Sequence, residues 1–302
     1  MFIVKNRTTF FIITGLLTLA AIAALVFWRP TFSIDFTGGS LTEVTYTDAR
    51  PSTTRIQSDI SKLDLGEVSV RESGDKGIVI RTRTLTPEEH TTLLSDLTEG
   101  GALTMTETRF TSIGPSLGSE LATKALYALF SVITAIVLYI TWAFRKVSKP
   151  VSSWVYGISV IVILVHDLLI PAGFYAVLAH FTGAQIDTLF VVALLAILGY
   201  SVNDTIVIFD RVREHLARNE KVGAKQDFAE VVGRSITETL GRSINTSLTV
   251  VLALCALAFF GSIVTLNFAL VLLAGVIAGT YSSILLAAPL LVPLSRLLAK
   301  NK

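Results

Sequence analysis

Charge is what this sequence has little of. Only 16% of its 302 residues are Asp, Glu, Lys or Arg, while 52% are hydrophobic and the mean hydropathy is +0.66. A soluble domain carries about 25% charged residues, so this balance excludes that class and places the chain in a bilayer. Cysteine is nearly missing as well. The one present, Cys255, excludes an intrachain disulfide and leaves the redox compartment unread. There is no Gly-rich phosphate loop, no Cys/His spacing of the zinc type and no nucleophile motif, which argues against ATP hydrolysis and against an enzyme.

What is present in quantity is long apolar runs. A helix needs about 20 mostly apolar residues to cross a hydrocarbon core. Six runs approach or exceed that length: 9–28, 122–144, 155–178, 188–209, 244–260 and 268–292. Lys5 and Arg7 before the first run, and Ala21-Ile22-Ala23 within it, resemble a cleavable signal, but the apolar residues continue to Trp28, which fits an uncleaved anchor. Lys and Arg are missing from the short loops 180–187 and 261–267. The opposite side collects Lys5, Arg7, Arg145, Lys146, Lys149, seven residues from Arg211 to Arg242, Arg296, Lys300 and Lys302, which is 15 of 25. The positive-inside rule then puts both termini in the cytoplasm and residues 29–121 outside. That segment holds 9 basic and 14 acidic residues, a balance of −5 that argues against nucleic acid as a partner.

The expected organisation is a first span with its cytoplasmic N-terminus (1–28), an extracytoplasmic α+β domain (29–121) and a five-helix bundle (122–302) with an amphipathic cytoplasmic connector (211–241). In the outer domain, residues 41–47, 67–71, 77–83 and 103–109 read as strands, and 53–63 and 87–99 as helices. Thr86, Pro87 and Glu89 form the start signal of the second helix, an N-cap, a first-turn proline and a capping box. The order βαββαβ is the split-βαβ, ferredoxin-like arrangement. Gly223 is expected to divide the connector into two helices. That connector reads either as an interfacial element or as a partner surface.

Ionisable groups inside spans cost about 2.5–3.5 kcal/mol each on insertion scales, so each asks for a reason. His166 and Asp167 fall mid-way along the third run. Asp204 lies five residues before the end of the fourth, about 8 Å from the cytoplasmic boundary. Arg242 enters with the fifth. A buried carboxylate that pairs with and releases an arginine is a proton switch. The alternatives are a solvated helix end for Asp204, positive-inside anchoring for Arg242, a structural hydrogen-bonded pair for His166 and Asp167, and interhelical hydrogen bonding for Asn203. Gly275 and Gly279 have the spacing of close helix packing. Pro171-Ala172-Gly173 is read as a kink or a hinge.

Five stretches resemble the SecF branch of the SecD/SecF protein-export family. They are Ile34-Asp35-Phe36-Thr37-Gly38-Gly39, Ile113-Gly114-Pro115-Ser116-Leu117-Gly118, His166-Asp167, the run from Gly199 to Arg211 containing Asn203-Asp204, and Gly241-Arg242-Ser243-Ile244-Asn245-Thr246-Ser247. The resemblance implies six transmembrane helices forming half of an RND-type transporter, in the cytoplasmic membrane. It also implies pairing with a SecD half, contact with the SecYEG channel and the translocating polypeptide, and use of protons as coupling ion without any other cofactor. It places Asp204 and Arg242 in a proton pathway, with Asp167, His166 and Asn203 beside them. The alternative class is an RND-type exporter of small molecules or lipids. Gly38-Gly39 and Gly114-Pro115 are read as turns flanking the outer domain, or as a hinge.

Overall fold

The structure, a computed structural model, describes residues 2–145, 153–224, 226–261 and 263–300. Lys146, Lys149, Lys225 and Lys302, four of the basic residues that set the expected orientation, lie outside the described residues. The chain divides into two compact units. One is assembled from residues 1–30, 127–184 and 189–302, the other from 31–126 and 185–188.

Six helices are long and apolar enough to cross a membrane: Arg7–Trp28, Pro115–Ala143, Ser153–Thr182, Thr188–Val222, Phe228–Phe260 and Thr265–Leu297. They are called here the first to sixth spans. In the third, fourth and sixth, 50%, 50% and 56% of the most apolar stretch is buried, against 17%, 6% and 11% in the first, second and fifth. The three central helices are therefore the ones able to hide polar groups from lipid. Most spans outrun their apolar residues. The fourth continues to Val222, where Gly223 at φ +65° ends it, and the fifth begins at Phe228. The expected connector is thus the continuation of these two helices. Its apolar positions Val212, Leu216, Val231, Val232 and Ile236 are buried in one cluster with Phe209, so the amphipathic face turns inward.

Several glycines let spans approach closely, among them Gly173, Gly275 and Gly279. A Cβ at Gly173 would lie 2.5 Å from the Cα of Ala21 in the first span. A Cβ at Gly275 would lie 2.2 Å from the Ile197 side chain, and one at Gly279 would lie 3.0 Å from the Cβ of Ser201. The third span stays helical through Pro171, so the Pro-Ala-Gly stretch acts in this structure by letting the first span in rather than by breaking the helix. Proline has no N–H to give to the carbonyl four residues back, which here is that of Asp167. In the sixth span the α-helix relaxes into a single π turn over Ser283–Ala287.

The second unit is built on a four-stranded antiparallel sheet of Gly39–Tyr46 (β1), Ser69–Ser73 (β2), Gly77–Thr82 (β3) and Met105–Ile113 (β4), ordered β2-β3-β1-β4. Helices Thr53–Ile60 and Pro87–Leu97 supply the two crossovers of the βαββαβ order. Their apolar faces meet the sheet at Val44, Ile60, Ile78, Ile80, Leu93 and Leu97, each contributing about 1.5–3 kcal/mol by leaving water. The capping box at Thr86 is formed in full, with Thr86 Oγ1 accepting from Glu89 N and Glu89 Oε2 accepting from Thr86 N. Strand β4 runs four residues past its expected end because Phe110 to Ile113 pair through the backbone with Thr42 to Gly39. No side-chain alternation encodes that pairing.

Two of the singled-out stretches touch within this unit. Ser33 caps the single helical turn Ile34–Thr37, and Gly38 and Gly39 follow at φ +74° and +120°. A Cβ on Gly38 would stand 2.7 Å from the Cα of Pro115, and one on Gly118 would stand 2.6 Å from the N of Gly38. Asp35 Oδ2 accepts from both the backbone N–H and the hydroxyl of Thr188, 3.0 Å each. Its carboxylate thereby satisfies an orphan donor at a helix start.

Candidate functional site

Asp167 has no exposed surface and His166 has 3%. Both carboxylate oxygens of Asp167 are engaged. Oδ1 lies 2.7 Å from His166 Nδ1, while Oδ2 accepts from Ser201 of the fourth span and lies 3.0 Å from Ser282 Oγ of the sixth. Three helices therefore converge on one acid. Such convergence is how a bilayer protein lowers the cost of an internal charge, since each interhelical hydrogen bond contributes about 0.6–2 kcal/mol. The far side of the imidazole is also occupied. His166 Nε2 lies 2.7 Å from Tyr281 Oη, with the two rings edge to face.

Asp204 sits one turn along the fourth span from Ser201, and it is 9% exposed. Ser243 of the fifth span donates to its Oδ1 at 2.5 Å. Oδ2 is buried and receives no hydrogen bond among the described residues. The Ser283 hydroxyl of the sixth span lies beside this carboxyl. That hydroxyl lies 2.7 Å from the Gly279 carbonyl, its best acceptor, and 3.1 Å from Thr205 Oγ1. The π turn that starts at Ser283 lets consecutive hydroxyls serve different neighbours, Ser282 at Asp167 and Ser283 beside Asp204 and Thr205.

A second row of hydroxyls ends at the backbone of Ser243. Tyr200 Oη donates to Ser247 Oγ at 2.7 Å, Thr280 Oγ1 stands 2.7 Å from the same oxygen, and Ser247 donates to the carbonyl of Ser243. Together the fourth, fifth and sixth spans line both acids with hydroxyl groups that can accept and donate in turn. Among the described residues there is no group of three or more His, Cys, Asp or Glu side chains placed to hold a metal ion.

The sequence-derived site residues divide in two. The structure brings His166 and Asp167 together and joins Asp204 to Ser243. Arg242 is exposed, with no ion pair to Asp204 among the described residues, and Asn203 is exposed beside it in the chain from Asp204. Ser201, Ser243, Tyr281, Ser282 and Ser283 were not singled out as members of the site. The available signal was the unbroken hydroxyl run Thr280-Tyr281-Ser282-Ser283 inside an apolar span, and the i, i+3 spacing of Ser201 and Asp204.

Comparison with known proteins adds the following. The family model described as Protein export membrane protein SecD/SecF, C-terminal, matches residues 94–297. A protein translocase subunit SecF of Anaerolinea thermophila is 35% identical over 292 residues, covering 96% of this chain and 92% of that protein. The SecF of Thermobaculum terrenum is also 35% identical, with the same coverage. A protein translocase subunit SecDF of Bacillus subtilis is 32% identical over 94% of this chain, which spans 37% of that longer protein. Among solved structures, SecDF of Thermus thermophilus, described as a translocon-associated membrane protein, superposes with a TM-score of 0.80 at 30% identity. The match covers 99% of this chain and 38% of that one.

Proposed function

The chain belongs to the SecD/SecF family of protein-export membrane proteins, and on that premise we propose that it is an accessory subunit of the Sec translocase that uses the proton gradient to assist polypeptide export. The observation that carries this reading is the Asp204 carboxylate. One of its oxygens is buried without a hydrogen bond among the described residues, and the Ser283 hydroxyl beside the carboxyl has a backbone carbonyl as its best acceptor. A carboxylic acid proton on that oxygen supplies the missing donor, so the site fits an acid that is loaded and unloaded. Protons would enter from outside, pass Asp167, reach Asp204 and leave on the cytoplasmic side, with both termini in the cytoplasm of an inner-membrane protein.

The working unit would be a heterodimer with a SecD half, acting at the SecYEG channel on the emerging polypeptide. In support, Asn203, Arg242 and Asn245 are exposed on spans where lipid would be a costly neighbour. A partner half covering that face would also bring Arg242 into a closed pathway with Asp204. The longer SecDF relative carries a counterpart of this chain within a larger protein, which fits such pairing.

The test is Asp204→Asn. The variant is expected to assemble with its partner and to lose the gradient dependence of export, measured in inverted membrane vesicles with and without a proton gradient. Normal dependence in an assembled variant overturns the reading.

A further inference from the structure

Ser282 and Ser283 of the sixth span have no exposed surface, so both hydroxyls take their acceptors from within the protein. Each stands between a carboxyl group and a carbonyl. Ser282 Oγ lies 3.0 Å from Asp167 Oδ2 and 3.1 Å from the carbonyl of Gly279. Ser283 Oγ lies 2.7 Å from that same carbonyl and beside the Asp204 carboxyl. One backbone oxygen is therefore the shared alternative to both acids. Resting on the proton-coupled reading above, we propose that Ser282 and Ser283 form a paired donor switch, each hydroxyl turning from the Gly279 carbonyl to its acid when that acid is charged.

The arrangement in this structure matches a charge on Asp167 and a proton on Asp204. Around the two oxygens of Asp167 stand Ser201, Ser282 and His166 Nδ1. Asp204 has Ser243 as a donor, and its Oδ2 is buried without a hydrogen bond among the described residues. A carboxylate accepts at both oxygens, whereas a carboxylic acid supplies one donor itself. In this state Ser282 donates to Asp167, Ser283 donates to the Gly279 carbonyl, and the acid proton of Asp204 has the Ser283 oxygen as acceptor.

With the charge on Asp204 instead, Ser283 rotates to donate to it and Ser282 returns to the Gly279 carbonyl. Neither serine gains or loses a proton; only its acceptor changes. Hydrogen bonds to a charged oxygen are about twice as strong as neutral ones, so the stronger tie of the sixth span follows the charge. A proton passing inward from Asp167 to Asp204 moves that tie from the fourth span to the third. The π turn beginning at Ser283 is where the sixth span can take up the change, because its hydrogen bonds already depart from the α register. The charged groups around Asp204 are Arg242 on the fifth span, within electrostatic reach, and Asp167 on the third, reached through Ser201. The fourth span's own neighbours, Asn203 and Thr205, do not titrate, and Thr205 Oγ1, 3.1 Å from Ser283 Oγ, can donate or accept in either state.

The experiment uses the full chain assembled with its SecD partner and compares Ser283→Ala with wild type by thermal unfolding in detergent across pH. Raising pH puts charge on Asp204, so the deficit in unfolding midpoint is expected to widen as pH rises. In an Asp204→Asn background the deficit is expected to be the same at every pH. A deficit that ignores pH in the wild-type background overturns the switch, because a serine bonded only to its own helix gives that result. In inverted vesicles Ser283→Ala is expected to lower the gradient stimulation of export about tenfold, the change in equilibrium that one hydrogen bond to a charged group controls. Full stimulation in Ser283→Ala, alongside its loss in Asp204→Asn, overturns the switch and leaves proton coupling standing. Retention in Asp204→Asn overturns the reading on which the switch rests. Should Ser283→Ala fail to assemble, Ser283→Cys keeps the size of the side chain with a weak donor. It is then expected to lower stimulation, and a wild-type level overturns the proposal.

Discussion

Ser201 donates its hydroxyl to the carboxylate of Asp167 from the neighbouring span, and it can do so because Gly279 stands behind it with no side chain. Packing and charge are joined at this point. The acid is held by donors from two other helices, so a change in its protonation alters what holds three spans together. That link between a proton and a helix interface is what a proton-driven conformational device requires.

Removing the donor alone tests the strength of the link. Ser201→Ala retains the Cβ that packs on Gly279 and loses the hydroxyl. The expected cost is about 0.6–2 kcal/mol, the range of interhelical hydrogen bonds in membranes. Thermal unfolding in detergent measures it, and a cycle with Ser282→Ala should show coupling because both hydroxyls face the same Asp167 oxygen. Additive losses would mean that the two serines do not share an acceptor.

Filling the space behind Ser201 should be worse than removing its hydroxyl. Gly279→Val puts branched carbon where even a Cβ would meet Ser201 at 3.0 Å. Overpacking of this kind costs about 1–3 kcal/mol, and here it also pushes the fourth span away from Asp167. Gly15→Ala is the control, since nothing lies within 4 Å of a Cβ there. Equal unfolding midpoints for the two variants would remove the close-packing argument.

These residues also show where sequence stops being informative. The spans are legible because a bilayer demands apolar length, and the α+β domain because strands and helices alternate with different periods. The start of its second helix was legible at Thr86 because a capping box is local chemistry. His166, Asp167 and Asp204 stood out through the cost of placing them in lipid. Their partners did not. Hydroxyls in spans commonly bond their own helix, as Thr141 does to Val137 and Thr237 to Gly233, so sequence cannot say which serine crosses to an acid. The exposure of Arg242 was equally hidden, because it depends on which way the fifth helix is rotated, and packing decides that.

Backbone contact makes a further prediction in the sheet-bearing unit. Gly38 is doubly constrained, by φ +74° and by a Cβ position 2.7 Å from Pro115 Cα. Gly38→Ala meets the backbone strain, of order 1–3 kcal/mol, and the collision together. The protection of β1 amides against hydrogen exchange in the full-length protein should fall. Gly74→Ala shares the positive φ but has nothing within 4 Å, so it reports the strain by itself. The larger loss is expected at Gly38, and equal losses would assign no role to the contact between the two glycine-bearing stretches.

Acid sensitivity of the sheet-bearing unit should trace partly to Glu89. The hydrogen bond from Arg83 first, and that from the backbone N–H of Thr86 second, hold its carboxyl down to about 2. An unfolded chain leaves a glutamate near its usual value of about 4.3. A depressed folded value means that the unfolded state binds protons first as pH falls, so stability is lost in that direction. The contribution is fully present above about pH 4.3, declines between there and about pH 2, and is gone below. Glu89→Gln cannot titrate, so the wild-type advantage over it should be constant near neutrality and vanish as pH approaches 2. Protection factors of the Pro87–Leu97 amides in the two full-length proteins, compared across that range, read the difference. An advantage that persists unchanged at pH 2 would show that the ion pair with Arg83 is not its source.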